Sequence, residues 1–136
     1  MTKYSAFGTL FKRGAASVAG IKTISGPNLS LDTVDVTTHD SPEGWEELVA
    51  TILRSGNVTL DLVYDPAAAT HKNTSGGLLY DMTSRTSTTY SIVFPDTGST
   101  TWSFTAFVVG FTPSSPHDGY LGASVSLKLT GKPTLV

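Results

Sequence analysis

The chain has 136 residues, 39% hydrophobic and 15% charged, with a formal net charge of −2 from nine Lys and Arg against eleven Asp and Glu. Such a composition supports one domain with a real core and excludes disorder, which goes with lower hydrophobicity and higher net charge. It leaves no cationic footprint for tight phosphate binding, and with no cysteine disulfides and thiolate–metal sites are excluded.

The first residues, MTKYSAFGTLFKRG, lack the apolar core of a secretory signal, and no apolar run approaches membrane length. The expectation is a protein made and folded in a cytoplasm, so the sequons at Asn28, Asn57 and Asn73 carry almost no weight. Val18 to Ile24 and Leu29 to Thr37 read as strands around a Ser-Gly-Pro-Asn turn, in which Gly26 and Pro27 supply the turn dihedrals. Next, Ser41-Pro42-Glu43 has the pattern of a helix start, with an N-cap, Pro at the first position and a carboxylate in the first turn. Trp45, Leu48, Val49, Ile52 and Leu53 follow at helical spacing, with Arg54 in the last turn and Gly56 beyond it. This predicts an amphipathic helix inside a polar arm spanning residues 37–56.

Val58, Leu60, Leu62 and Tyr64 alternate with Thr59, Asp61 and Val63, which predicts a strand with one buried face. A flanking helix is expected over about residues 66–84, after Asp65-Pro66, starting late or interrupted because Gly76 and Gly77 each cost about 1 kcal/mol in a helix interior. Tyr90, Ile92 and Phe94 form another alternating strand. Pro95-Asp96-Thr97-Gly98 then turns the chain into Trp102, Phe104, Ala106 and Val108. Phe107, Val109 and Phe111 are interleaved there, predicting a strand buried on both faces. Val125, Leu127 and Leu129 alternate with Ser124, Ser126, Lys128 and Thr130. The fold class is therefore mainly β: one sandwich- or barrel-like domain over residues 1–136 with one or two flanking helices.

The chemistry is sparse. His39, His71 and His117 lie far apart without metal-ligand spacing, and read as exposed loop histidines. No GxSxG elbow is present, and Gly76-Gly77 lacks the lysine and preceding strand of a phosphate loop. Asp32, Asp35 and Asp61 fall at polar strand positions, where a solvated face is the favoured reading over an acid–base pair. No catalytic residue, metal or cofactor is expected. The stripe Trp45, Leu48, Val49, Ile52 follows a polar excursion from the sheet, so it reads either as core packing or as an anchor on another molecule.

The order of these pieces, AFGTLFKRG, then IKTISGPNLSLDTVDVTTHDSPEGWEELVATILRSGNVTLDLVYDP, TYSIVFPDTG, WSFTAFVVGFTPSSP and ASVSLKLTGKP, resembles the major tail tube proteins of lambda-like, long-tailed bacteriophages. The resemblance implies a structural virion protein that is not an enzyme. It implies homo-oligomeric rings, six-membered by family, stacked into a hollow conduit for DNA ejection, with strands of all subunits closing one barrel. Ring closure would remove sticky sheet edges. Implied partners are the tape-measure protein, tail terminator and tip proteins, and genomic DNA passing without specific binding; no membrane is implied. The implied location is the phage tail, assembled in the host cytoplasm.

By that carry-over, Trp45, Leu48, Val49 and Ile52 are inter-subunit anchors. Tyr4 to Arg13 and Gly131 to Val136 are further inter-ring candidates. Lumen candidates are Ser30, Asp32, Asp35, Thr37, Thr59 and Asp61, because hydroxyls and carboxylates would not hold phosphates. The alternatives are a tube protein of the type VI secretion kind, a monomeric β-sandwich binding carbohydrate through Trp45, Trp102 and Tyr120, and an enzyme using Asp32, Asp61 and His71.

Overall fold

A computed structural model describes residues 1–135. Nine strands and one short helix follow in order: β1 (Leu10–Arg13), β2 (Ala16–Ser17), β3 (Ile21–Ser25), β4 (Ser30–Asp35), β5 (Leu48–Arg54), β6 (Asn57–Val63), α1 (Leu78–Thr83), β7 (Thr88–Val93), β8 (Thr101–Ser114) and β9 (Gly122–Leu135). Seven strands form one antiparallel sheet in the order β2-β1-β7-β8-β9-β6-β3, and β4 pairs only with β5. Val136, the last residue of the predicted C-terminal contact segment, lies outside the described residues.

The large sheet curls until β1 approaches β3. Alternation decides its inner face: Val58, Leu60 and Leu62 of β6 are buried, while Asn57, Thr59, Asp61 and Val63 are exposed. Tyr90 and Ile92 of β7, Phe104, Ala106 and Val108 of β8, and Val125, Leu127 and Leu129 of β9 join them in a single core. Strand β8 departs from expectation. Phe107 and Val109 face outward and are exposed, so only one face of that strand is buried.

Two helix expectations need correction. The segment carrying Trp45 to Leu53 is not helical. A single 3-10 turn, Pro42–Gly44, uses the Ser41-Pro42 start, and Trp45 already has extended backbone. Leu48–Arg54 then forms β5 against β4. Its β-branched Val49, Thr51 and Ile52 fit a pleated strand, and cross-strand hydrogen bonding outweighs a helical spacing that has no core to face. The second helix is confined to Leu78–Thr83, beginning immediately after Gly77. Gly77 is the extended residue that precedes the helix, and the Lys72 carbonyl packs so closely on it that a Cβ there would clash.

Helix α1 is held by charge. Asp81, buried to 2% exposure, accepts from Arg13 Nε at 2.7 Å, Arg13 Nη2 at 2.8 Å and the Tyr90 hydroxyl at 2.6 Å. These bonds join α1 to β1 and β7. Hydrogen bonding to Asp81 raises the Arg13 pKa, and burial first, then Asp81, raises that of Tyr90. His71, read from sequence as an exposed loop residue, is instead fully buried. Its Nδ1 accepts from the Asp65 N–H at 3.2 Å, so Nε2 donates to the Ala19 carbonyl at 2.6 Å. It thereby ties the β2–β3 link to the loop after β6.

Asp81→Ala strands a partly buried guanidinium and a buried phenol, and is expected to cost about 3 kcal/mol. Urea denaturation of the two proteins measures this, with the loss visible as a lower midpoint at unchanged slope.

Candidate assembly interface

Strands β3 and β4 are one run of chain, as are β5 and β6, so β4–β5 is the far half of a long hairpin whose near half belongs to the sheet. The hairpin changes course where Gly26 faces Asn57 and Gly56 faces Asn28. Gly26 has φ +110° and Gly56 has φ +74°, and a Cβ at either would run into the facing residue's carbonyl oxygen. Only glycine satisfies both the left-handed backbone and the close approach. The Leu129 N–H donates to the Gly56 carbonyl at 3.1 Å, fixing the base of the arm to β9.

Beyond that base the arm has no core of its own. All seven residues of β5 are exposed, among them Leu48, Val49, Ile52 and Leu53, the last at 79%. Leu31 lies opposite Leu53, and Val34 opposite Val49. Adjacent residues on a strand face opposite ways, so Leu48 and Val49 put apolar surface on both sides. Trp45, 72% exposed, stands on extended backbone at the far end. The end is closed by Val36 N–H to the Glu47 carbonyl at 2.9 Å and Glu47 N–H to Thr37 Oγ1 at 2.8 Å. The Arg54–Asp32 ion pair at 2.7 Å is exposed on both sides, and such pairs contribute little.

The six lumen candidates separate into two groups. Ser30, Asp32, Asp35 and Thr37 belong to the arm, where Asp32 and Asp35, three residues apart, face opposite sides. Asp35 accepts from the Thr37 N–H at 2.9 Å. Thr59 and Asp61 lie on the outer face of β6. There the register aligns Thr23, Asp61, Ser124 and Thr112 in one row across β3, β6, β9 and β8, and Ser25, Thr59 and Ser126 in the next. Sequence reasoning missed the contributions of β3, β8 and β9 to this hydroxyl-rich surface. Their alternation was visible, but which strands are neighbours was not.

Trp45, Trp102 and Tyr120 share no platform. Trp102 packs on the core from β8, Tyr120 lies beside Lys22 in the loop before β9, and Trp45 is on the arm. Asp32, Asp61 and His71 are likewise apart, on the arm, the outer sheet face and in the interior. Among the described residues no group of three or more His, Asp or Glu side chains gathers as a metal would require. No helix among them is long and apolar enough to cross a membrane.

The family model described as "Lambda phage tail tube protein, TTP" matches residues 4–136. The chain belongs to that family. It is a tail tube protein, a structural component of a phage tail. Among solved structures, a chain of the virion of a native gene transfer agent particle aligns with TM-score 0.77 at 17% identity, covering 98% of this chain and 99% of that one. A chain of an extracellular contractile injection system, from its sheath/tube terminator in the extended state, gives TM-score 0.74 at 15% identity over 100% and 98%. A chain from the baseplate of the anti-feeding prophage gives 0.66 at 13% over 100% and 97%. At such identities the likeness is one of fold. No curated protein sequence matches this tail tube chain.

The turn leading into β8 carries a titratable group. Asp96 accepts from Thr100 Oγ1 at 2.6 Å and from the Thr100 N–H at 2.7 Å, which hold its carboxyl below the usual aspartate range. A depressed folded pKa stabilises the turn above the ordinary aspartate range, and that contribution disappears as pH falls through the folded value. Thr100→Val removes the hydroxyl. The Asp96 carboxyl is then expected to titrate at higher pH, as followed by NMR of the side-chain carboxyl carbon.

Proposed function

We propose that the chain is a major tail tube subunit that assembles into stacked rings, six subunits to a ring, around a bore that passes genomic DNA. The observation that carries this reading is the arm: a two-stranded hairpin with apolar side chains on both faces and no third layer. Isolated hairpins of this kind are marginal in water. Burying one Leu, Val or Ile side chain contributes about 1.5–3 kcal/mol. Trp45, Leu48, Val49 and Ile52 act as the anchors, and the segments 4–13 and 131–136 add contacts between rings. Head-to-tail contacts of this type close into rings.

The hydroxyl rows on β3, β6, β9 and β8 form the bore, with Thr59 and Asp61 at their centre, and one side of the arm continues the wall through Ser30 and Asp32 or through Asp35 and Thr37. Hydroxyls and a carboxylate do not neutralise phosphates, so passing DNA releases few counterions and is not held. Tape-measure, terminator and tip proteins are the partners in the tail, and assembly takes place in the host cytoplasm. A tube of the type VI secretion kind remains a second reading, which solved contractile injection chains of similar fold support only at the level of fold.

Negative-stain images of the purified chain over a concentration series test the assembly. Rings or hollow filaments are expected, and compact particles of monomer size at every concentration would refute it. Replacing Leu48, Val49 and Ile52 by Ser is expected to abolish filaments while leaving the body's melting temperature nearly unchanged, because these side chains touch little of the core. Lysines at Thr59 and Ser126 are expected to leave folding intact and make tubes retain DNA, less so at high salt. Retention insensitive to salt would place these residues elsewhere.

A further inference from the structure

Of the three histidines only His71 is buried, and both of its ring nitrogens are in use. Nδ1 accepts from the Asp65 N–H at 3.2 Å while Nε2 donates to the Ala19 carbonyl at 2.6 Å. Only the neutral ring with its hydrogen on Nε2 can do both, because a protonated imidazole is a donor at each nitrogen. Further bonds cross at the same place. The Ala19 N–H donates to Thr70 Oγ1 at 3.2 Å, and the Val63 N–H donates to the Gly20 carbonyl at 2.7 Å. Gly20 covers the ring, where a Cβ would lie 3.7 Å from Cε1 and run into the Val63 carbonyl. Tyr64 flanks the ring with centroids 6.0 Å apart. The Leu78 N–H donates to the Thr70 carbonyl at 2.9 Å, so the loop 64–77 leads from this point directly into α1.

We propose that His71 is a proton-operated latch: uptake of a proton at Nδ1 sets a donor against the Asp65 N–H, and the loop 64–77 parts from the link between β2 and β3. The groups nearby that titrate or carry charge offer the new N–H no acceptor. The Asp65 carboxylate takes the Ala67 N–H at 3.0 Å, and Lys72 is exposed. Tyr64 packs edge-on to Phe111. On the neighbouring elements the Lys22 ammonium sits on Tyr120, and Asp81 is taken by Arg13 and Tyr90. Among the described residues neither ion pair includes His71.

An imidazolium formed in place is therefore a buried charge without a counter-charge, beside a backbone N–H that has lost its acceptor. Both are costly. Moving the ring out to water removes both costs and gives up the Ala19 carbonyl, so one proton undoes two fastenings. The latch is closed while the ring is neutral and opens as pH falls and the ring takes up its proton. The core beneath is packed from apolar side chains of β6 to β9, so the opening is local. The freed link leads straight into β3, the edge strand of the sheet, and acid therefore loosens that edge.

Hydrogen exchange read by mass spectrometry on the full chain tests this in any state of assembly. Exchange at the histidine C2 position follows protonation of the ring, and amide exchange, corrected for its intrinsic pH dependence, follows the fastenings. Protection in peptides covering 18–21 and 63–72 is expected to fall about tenfold over the pH interval in which His71 becomes protonated, the equivalent of one lost hydrogen bond. Peptides from β9 are expected to keep theirs. His71→Gln retains one acceptor and one donor but binds no proton, and is expected to lose the step. Asp65→Asn keeps the backbone N–H while removing the nearby carboxylate, and is expected to retain it. Protonation of His71 with protection unchanged would overturn the proposal. So would a step that survives His71→Gln, that vanishes in Asp65→Asn, or that appears only when β9 also opens. Should His71→Gln fail to fold, the unmodified chain and Asp65→Asn decide.

Discussion

A two-stranded ribbon has no interior. The sheet solves this for β3 and β6 by curling, so that one face of each strand meets Tyr90, Phe104, Leu127 and their neighbours. The same two runs of chain continue past Gly26 and Gly56 as β4 and β5, which no core among the described residues covers. Every apolar group placed there stays wet in the single chain. The molecule is therefore divided into a body with a buried core and an arm whose apolar side chains stay exposed, and the division falls at two glycines whose carbonyl neighbours tolerate no side chain.

The body is rigid for polar as well as apolar reasons. Asp81 gathers a guanidinium and a phenol, and so ties α1 to the strands that begin and flank the sheet's β1 end. His71 does similar work near the β3 end, with both ring nitrogens committed to backbone groups. Buried polar groups of this kind are costly to leave unpaired, so they fix the relative placement of the elements they join.

The two faces of the sheet differ in chemistry. The inner face is nearly all aliphatic and aromatic. The outer face of β3, β6, β9 and β8 presents rows of Ser and Thr with one aspartate in the aligned rows, and Lys128 beyond them beside Asn57 and Phe107.

Local chemistry in the sequence determined much of this. Alternation at Val58–Leu62, Tyr90–Phe94 and Val125–Leu129 gave the core strands and their buried faces, because a side chain's side on a strand follows from its parity alone. The polar excursion after Leu29 marked the arm, and the stripe around Trp45 marked the large apolar side chains that it exposes. What parity and spacing could not provide was partnership. Leu48, Val49, Ile52 and Leu53 fit a helix and a strand equally well by spacing, and pairing with β4 decided for the strand. His71 and Asp81 look like surface residues until chain segments 52 and 68 residues away, at Ala19 and Arg13, close over them. The outward turn of Phe107 and Val109 and the assembly of hydroxyl rows from four strands are products of long-range register. Such register is set by which strands become neighbours, a property of the folded whole that no local pattern encodes.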